Sequence, residues 1–509
     1  MSSLQYDQII VDIKDYVFHF KVDSGKAWKN ARIALLDTIG CAIETVFKSE
    51  DCKRMIGPIV PGSTIPNGFR LPGTFYILDP LKGSFDMGTA IRYLDHNDAI
   101  AGADWGHPSG RSHIIFRLNK ALTYILPDNL GSILAVSDWL CRSSKEGVIS
   151  HNGPPLTIKT ILEALIKAYE IQGCMLLDNA FNAYGLDHVI LVKLASTAVV
   201  SWLMGLTEGQ TMAAISQVWM DGQALRVYRQ KGNTIPRKGW AAGDACMKAT
   251  QLALLTKAGQ PGSPTPLSMP RWGFYANSFG NNTFDLPKKY SSWVIENIIF
   301  KVMPVEGHGV PSVEAAMMHL KTLKARQLSA EKDITQIIIR TNAATDMIIN
   351  RTGELSNAAD RDHCLQYLIA LTLLKGGLPE AEDFLDSSMW SKCSDLDNLR
   401  EKIKIFVDER LTQDYMDLDV KSVTTGMTVM LLDGTHLSEV LIEFPIGHGK
   451  NPKTHDFVQQ KFQKNMKLMF SPEEVDNIIE MVENKENEEK TVSEFLDLLV
   501  RESSLSSRL

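Results

Sequence analysis

Residues 156–174 read LTIKTILEALIKAYEIQGC, and Ile158, Leu162, Leu165 and Tyr169 recur in them at steps of three and four. That spacing puts the four side chains on one face of an α-helix. Downstream, DHVILVKLASTAVVSWLMGL (187–206) and TMAAISQVWM (211–220) are apolar almost all round, as helices inside a bundle are. The Gly/Pro-rich run KAGQPGSPTPLSMPRWGF (257–274) interrupts the pattern. It predicts a long loop in which Trp272, Phe274 and Tyr275 give the chain something to bury.

Strand signals come only later. ITQIIIRT (334–341) is one; TVMLLDGTHLSEVLIEF (428–444) carries Asp433-Gly434 between two apolar runs and predicts a β-hairpin. Beyond Pro445 the helical pattern returns in 456–469 and 471–500, and the charge run ENKENEEK (483–490) predicts a solvated helix face. The expected fold class is mostly α with an α+β part. A discontinuous helical domain of residues 1–298 and 445–509, built from both chain ends, would carry a smaller inserted α+β lid of residues 299–444.

A chain of 509 residues exceeds what one core usually serves, which agrees with two domains. Its 44% hydrophobic and 22% charged content is that of a globular protein, and a net charge of −7 gives no reason to expect a nucleic-acid partner. No apolar run reaches the roughly 20 residues of a membrane span. The seven cysteines lie far apart without a Cys-x-x-Cys pair, so neither a zinc knuckle nor a disulfide framework is expected. Asp7, Asp12 and Asp15 argue against a secretory or transit peptide, whereas Ser507-Arg508-Leu509 is similar to a peroxisomal address.

Four stretches gather ionisable residues in loop-like contexts. RYLDHNDAIAGADWGHPS holds Asp95, His96, Asp98, Asp104 and His107; the run from Arg226 to Lys238 holds five basic residues and no acidic one; FKVMPVEGHG holds Lys301, Glu306 and His308; NAADRDHC holds Asp360, Arg361, Asp362 and His363. Taken singly, each reads equally well as a cap, a solvated loop or a structural histidine. Metal signatures, a phosphate loop, a nucleophile elbow and an iron–sulfur cysteine set are all missing, so no cofactor is expected. Taken together, the stretches suit proton transfer next to carboxylates. Cations would hold the substrate and the developing charge, and Asp or His would move the proton.

RYLDHNDAIAGADWGHPS, FNAYGLDHVILVKLASTAVV, WAAGDACMKA, WGFYANSFG, MPVEGHG, GELSNAADRDHCLQY and LDGTHLSEVLIEFPIGH resemble, in order and over nearly the whole chain, the MmgE/PrpD family. The resemblance implies a helical domain plus an α+β lid with a cleft between them, usually as a homodimer. It also implies metal-independent dehydration of a small tricarboxylate, 2-methylcitrate, to 2-methyl-cis-aconitate in the methylcitrate cycle of propionate breakdown. Asp95 and His107 match the family's acid and base positions, with the two roles unassigned, and Lys238 and Lys301 match its site lysines. Arg237, His188, His308 and His363 are further candidates for holding carboxylates. The family's part in propionate breakdown implies a mitochondrial location. Relatives that decarboxylate cis-aconitate or epimerise a similar acid leave those reactions as alternatives, beside a non-catalytic role. Ala99 stands where many relatives carry Thr.

The family runs Gly-His-Pro-Ser directly into Asp-Asn-Leu-Gly, but here residues 110–127 separate Ser109 from Asp128. This insert exposes an apolar run, Ile114 to Leu126, unlike the polar surface loops that tolerate insertion. It is read as a retained intron translated in frame, with a tolerated surface loop as the rival reading. It begins three residues after His107 and would disturb it.

Overall fold

The computed structural model describes residues 5–98, 100–102, 123–125, 128–229, 233, 235–417 and 419–501. Ala99, His107, most of the 110–127 insert and Ser507-Arg508-Leu509 lie outside the described residues. Among the described residues the chain forms two compact units, one within 1–104, 125–298 and 458–509, the other of 123–124 and 299–457.

The first unit is a helical bundle. Thr157 caps the helix Ile158–Asp178 by accepting from the Thr160 N–H, and Ile158, Leu162, Leu165 and Tyr169 are all buried, as their spacing requires. The apolar helix Val189–Leu203 lies within the bundle, buried at nearly every position. Three other helices, Pro80–Arg92, Leu130–Lys145 and Arg237–Lys257, meet where none carries a side chain. A Cβ on Gly88 would come within 2.9 Å of the Gly243 Cα, and one on Gly131 within 2.6 Å of the Gly88 nitrogen. This close approach of backbones brings the C-terminus of Pro80–Arg92 alongside the N-terminus of Arg237–Lys257.

The second unit is α+β. Its sheet has the order Ile403–Val407, Ile334–Thr341, Thr425–Leu431, His436–Ile442, with the first pair parallel and the others antiparallel. In Ile334–Thr341, Ile334, Ile337 and Ile339 are buried against the helices Val310–Ala325 and Leu365–Lys375. The expected hairpin is present: Gly434 takes φ 81° in its turn, and Asp433 Oδ1 accepts from the Thr435 N–H (2.9 Å) and hydroxyl (2.7 Å).

Two local expectations need correction. Phe274 is buried in the 257–274 loop, but Trp272 is 71% exposed, with the Arg271 guanidinium over its ring at 4.4 Å. An arginine beside it covers the indole without a core. The charge run 483–490 is not a helix face: the helix Pro472–Glu483 ends there, a 3₁₀ turn Lys485–Asn487 follows, and the Glu488 carboxylate pairs with the buried Arg32.

Candidate active site

Asp79 caps the helix Pro80–Arg92 with Pro80 in its first turn, and the chain leaves the other end in a turn where Asp95 takes φ 55°. A residue with a Cβ is strained there, and such strain gathers at functional sites. The Asp95 N–H donates to the Arg92 carbonyl at 3.1 Å, and the Arg92 guanidinium donates to Asp95 Oδ1. Lys238, in the first turn of Arg237–Lys257, puts its Nζ 3.5 Å from Asp95 Oδ2. A buried carboxylate thus lies between two cations. Arg92 Nε is also 4.0 Å from Oδ2 of the buried Asp128, and Asn97 donates to the other oxygen of that carboxylate, Oδ1, at 3.4 Å. Burial pushes Asp128 up to about 6 against the opposing pull of Arg92, Arg229 and Asn97.

The same unit holds a second basic cluster. Leu186 and Leu225 form an isolated antiparallel bridge, the Asp187 N–H donates to Ala224, and the Arg226 N–H donates to Gly185. This short pairing sets the 3₁₀ turn Arg226–Arg229 beside Asp187 and His188. Arg229 Nε donates to Asp187 Oδ2 at 2.6 Å. Burial raises the Asp187 carboxyl, but Arg229, His188 and Arg226 outweigh it and hold the group well below the usual carboxylate range. His188 is also shifted down, but here burial drives the shift: burial first, with Arg229, Arg226 and Arg92 adding to it, lowers it to about 3 against the pull of Asp187. Its ring is therefore neutral. Arg226 donates to His188 Nδ1 at 3.3 Å, and a guanidinium cannot accept, so the ring proton sits on Nε2. That Nε2 is buried and meets no hydrogen-bond partner among the described residues. Arg237 stacks over Trp240, 4.3 Å from the ring centre, with Asp244 Oδ2 at 3.5 Å.

In the second unit the Glu306 N–H donates to the Asp362 carbonyl at 3.1 Å, joining FKVMPVEGHG to NAADRDHC. Lys301 and His308 are buried. His308 Nδ1 lies 3.0 Å from Glu306 Oε1, and its Nε2 lies 2.6 Å from the hydroxyl of the buried Tyr415, so both ring nitrogens are engaged. Burial raises Glu306, but His308, His363 and Lys301 outweigh it and hold the carboxyl at about 2. His363 Nδ1 meets the Asp362 carboxylate.

The structure thus brings Asp95 and Lys238 together in one unit, with His188 and Arg237 in the same unit, and places Lys301, His308 and His363 around Glu306 in the other. Reading the sequence did not single out Arg92, Asp128, Asp187 or Tyr415. Asp187 precedes His188 and Asp128 sits in a turn motif, which are weak signals; Tyr415, in LTQDYMDL, gave none. In the helical unit Asp15, His19 and Glu208 lie within metal-binding reach of one another, but Lys14 Nζ already neutralises Glu208 at 2.9 Å.

Known proteins resemble the chain over its whole length. It is 54% identical over 508 residues to an alkylcitrate dehydratase of a fungal species, covering 100% of this chain and 96% of the relative. An alkylcitrate dehydratase of Talaromyces stipitatus is 49% identical over 511 residues, 100% of both chains. The mitochondrial 2-methylcitrate dehydratase of Yarrowia lipolytica is 42% identical over 499 residues, 97% of this chain and 90% of the relative. The model of the MmgE/PrpD N-terminal domain matches residues 11–112 and 119–287, leaving 113–118 unmatched, and that of the MmgE/PrpD C-terminal domain matches 303–487. With both domain models matched in order around these two ionisable clusters, the chain belongs to the MmgE/PrpD family.

Proposed function

We propose that the protein is a hydro-lyase that dehydrates 2-methylcitrate to 2-methyl-cis-aconitate. The observation that carries this reading is near-complete coverage, at 42–54% identity, by relatives named as dehydratases of 2-methylcitrate or alkylcitrate. The geometry supports it. Dehydration breaks a C–H bond next to a carboxylate and a C–O bond on the neighbouring carbon, forms the double bond between them and releases water. Negative charge builds on the carboxylate oxygens as the proton leaves, and fixed cations stabilise it.

In this reading Asp95 and His107 divide the two proton transfers, and Arg92 and Lys238 orient the Asp95 carboxylate. The neutral His188 offers its Nε2–H to a substrate carboxylate, with Arg237, Lys301 and His363 as further holders. His308 acts through Glu306 and Tyr415, because both its ring nitrogens are taken. Purified protein incubated with 2-methylcitrate and a chelator should develop the ultraviolet absorbance of a double bond conjugated to carboxylate. Release of carbon dioxide from cis-aconitate without that signal would favour the decarboxylase alternative.

A second reading concerns the substituent. Identity is 54% and 49% to the two alkylcitrate dehydratases against 42% to the 2-methylcitrate enzyme. A substrate with an alkyl group longer than methyl is therefore the direct competitor, and kcat/KM for the two classes of citrate decides between them. We also infer a homodimer, which sedimentation tests, and a mitochondrial location like that in the Yarrowia lipolytica relative's name. Fluorescent tagging separates this location from the peroxisomal one. No helix among the described residues is long and apolar enough to cross a membrane.

A further inference from the structure

The left-handed backbone at Asp95 raises the question of what holds it, since such a conformation persists only where its surroundings over-determine it. On the helix side, Arg92 binds Asp95 through its carbonyl and its guanidinium. On the other side the constraint comes from far along the chain. Lys461, on the helix Thr454–Met466, donates from Nζ to the carbonyl oxygen of His96 at 2.6 Å and lies 2.8 Å from Asp37 Oδ1. Its side chain is only 4% exposed.

One turn along the same helix, Asn465 Nδ2 donates to Glu44 Oε2 at 3.2 Å, and that oxygen lies 2.7 Å from His96 Nδ1. Residues four apart on one helix face thus grip both the backbone and the side chain of the residue after Asp95. A methionine would fill the Lys461 site equally well as hydrocarbon. What the buried ammonium adds is a donor to the His96 carbonyl, in a place where its charge needs Asp37 to balance it.

We infer that Lys461 is a positioning residue for the reaction: by holding the His96 carbonyl it locks the left-handed turn that presents the Asp95 carboxylate to Lys238. Its effect on turnover rests on the dehydratase reading above; its effect on the turn does not.

The test compares the unaltered protein, Asp37→Asn, and Asp37→Asn combined with Lys461→Met. The double variant removes both charges together and so avoids a buried unpaired ion, while the single variant keeps the donor to His96. Asp37→Asn combined with Lys461→Leu, which likewise removes both charges and the donor, is a further variant should the first double one fail to fold. In the double variant kcat for 2-methylcitrate is expected to fall at least tenfold, with KM within twofold of the unaltered protein. A crystal structure of it should show Asp95 out of the positive-φ region. Asp37→Asn should keep the positive φ. If Asp95 keeps its positive φ in the double variant, or in Asp37→Asn combined with Lys461→Leu where only that variant folds, the inference is overturned whatever the rates. If the unaltered protein turns over neither 2-methylcitrate nor a longer alkylcitrate, the dehydratase reading fails, and the φ comparison still decides the role of Lys461.

Discussion

Glu306→Gln tests whether the cluster in the second unit is organised by charge. In the folded protein Glu306 titrates at about 2 instead of 4.5, because His308, His363 and Lys301 outweigh the cost of burying it. A depressed folded value means that the stabilisation is complete above pH 4.5 and is lost as pH falls toward 2. A gap of this size corresponds to about 3 kcal/mol, or about 300-fold in an opening equilibrium, at pH 7. At pH 3 the carboxyl of the opened state is almost fully protonated while the folded one is still mostly ionised, and the factor falls to about tenfold. The readout is hydrogen exchange at the amides of the helix Val310–Ala325, which begins directly after the His308 turn. Taking the ratio of unaltered to variant protection at each pH cancels both the intrinsic exchange rate and any uncharged packing difference. The ratio should drop by more than an order of magnitude between pH 7 and pH 3. A ratio that stays constant would mean that the Glu306 carboxylate is not held by those neighbours, and the electrostatic account of this cluster would be wrong.

Asp95→Asn keeps a side chain that tolerates positive φ, so the fold should survive while kcat falls by roughly 10²- to 10⁴-fold, the usual worth of a general acid or base; circular dichroism and initial rates check it. His188→Phe removes the buried Nε2–H and should raise KM about tenfold, as loss of one hydrogen bond of about 1.5 kcal/mol implies, with kcat little changed. Asp128, raised to about 6 in the folded state, contributes stability below pH 3.8 that disappears as pH rises through 6. Asp128→Asn should therefore gain on the unaltered protein by about 3 kcal/mol across that window in urea denaturation, and a flat difference would refute the burial argument. A chain lacking residues 110–127 should dehydrate 2-methylcitrate faster than the full chain, whereas equal rates would make that segment a tolerated loop.

Some of the molecule could be read along the chain because the relevant physics is local. The 158/162/165/169 spacing marks a buried helix face from 3.6-residue geometry alone, and Asp433-Gly434 marks a hairpin because few residues accept that turn. The ionisable stretches were visible for a similar reason: each is contiguous, and polar residues crowded among turn-formers stand out against apolar periodicity. The same logic failed where a neighbour distant in sequence decides the outcome. Trp272 looked like a core residue but lies under an arginine at the surface, and ENKENEEK looked like a helix face until Arg32 drew Glu488 into a turn.

What the sequence alone determined about this protein is its helical and strand segments, its family, and the short list of residues able to move protons or hold carboxylates. Only the tertiary structure decided which of those residues meet. Lys238 reaches Asp95 because Gly88 and Gly243 let two helices approach backbone to backbone, and the Asp95 turn is held by Lys461, more than 360 positions away. Periodicity specifies which face of an element is buried, but not against what. The partner is chosen by packing, and in a buried site that choice sets whether Asp128 is pushed up and Glu306 held down.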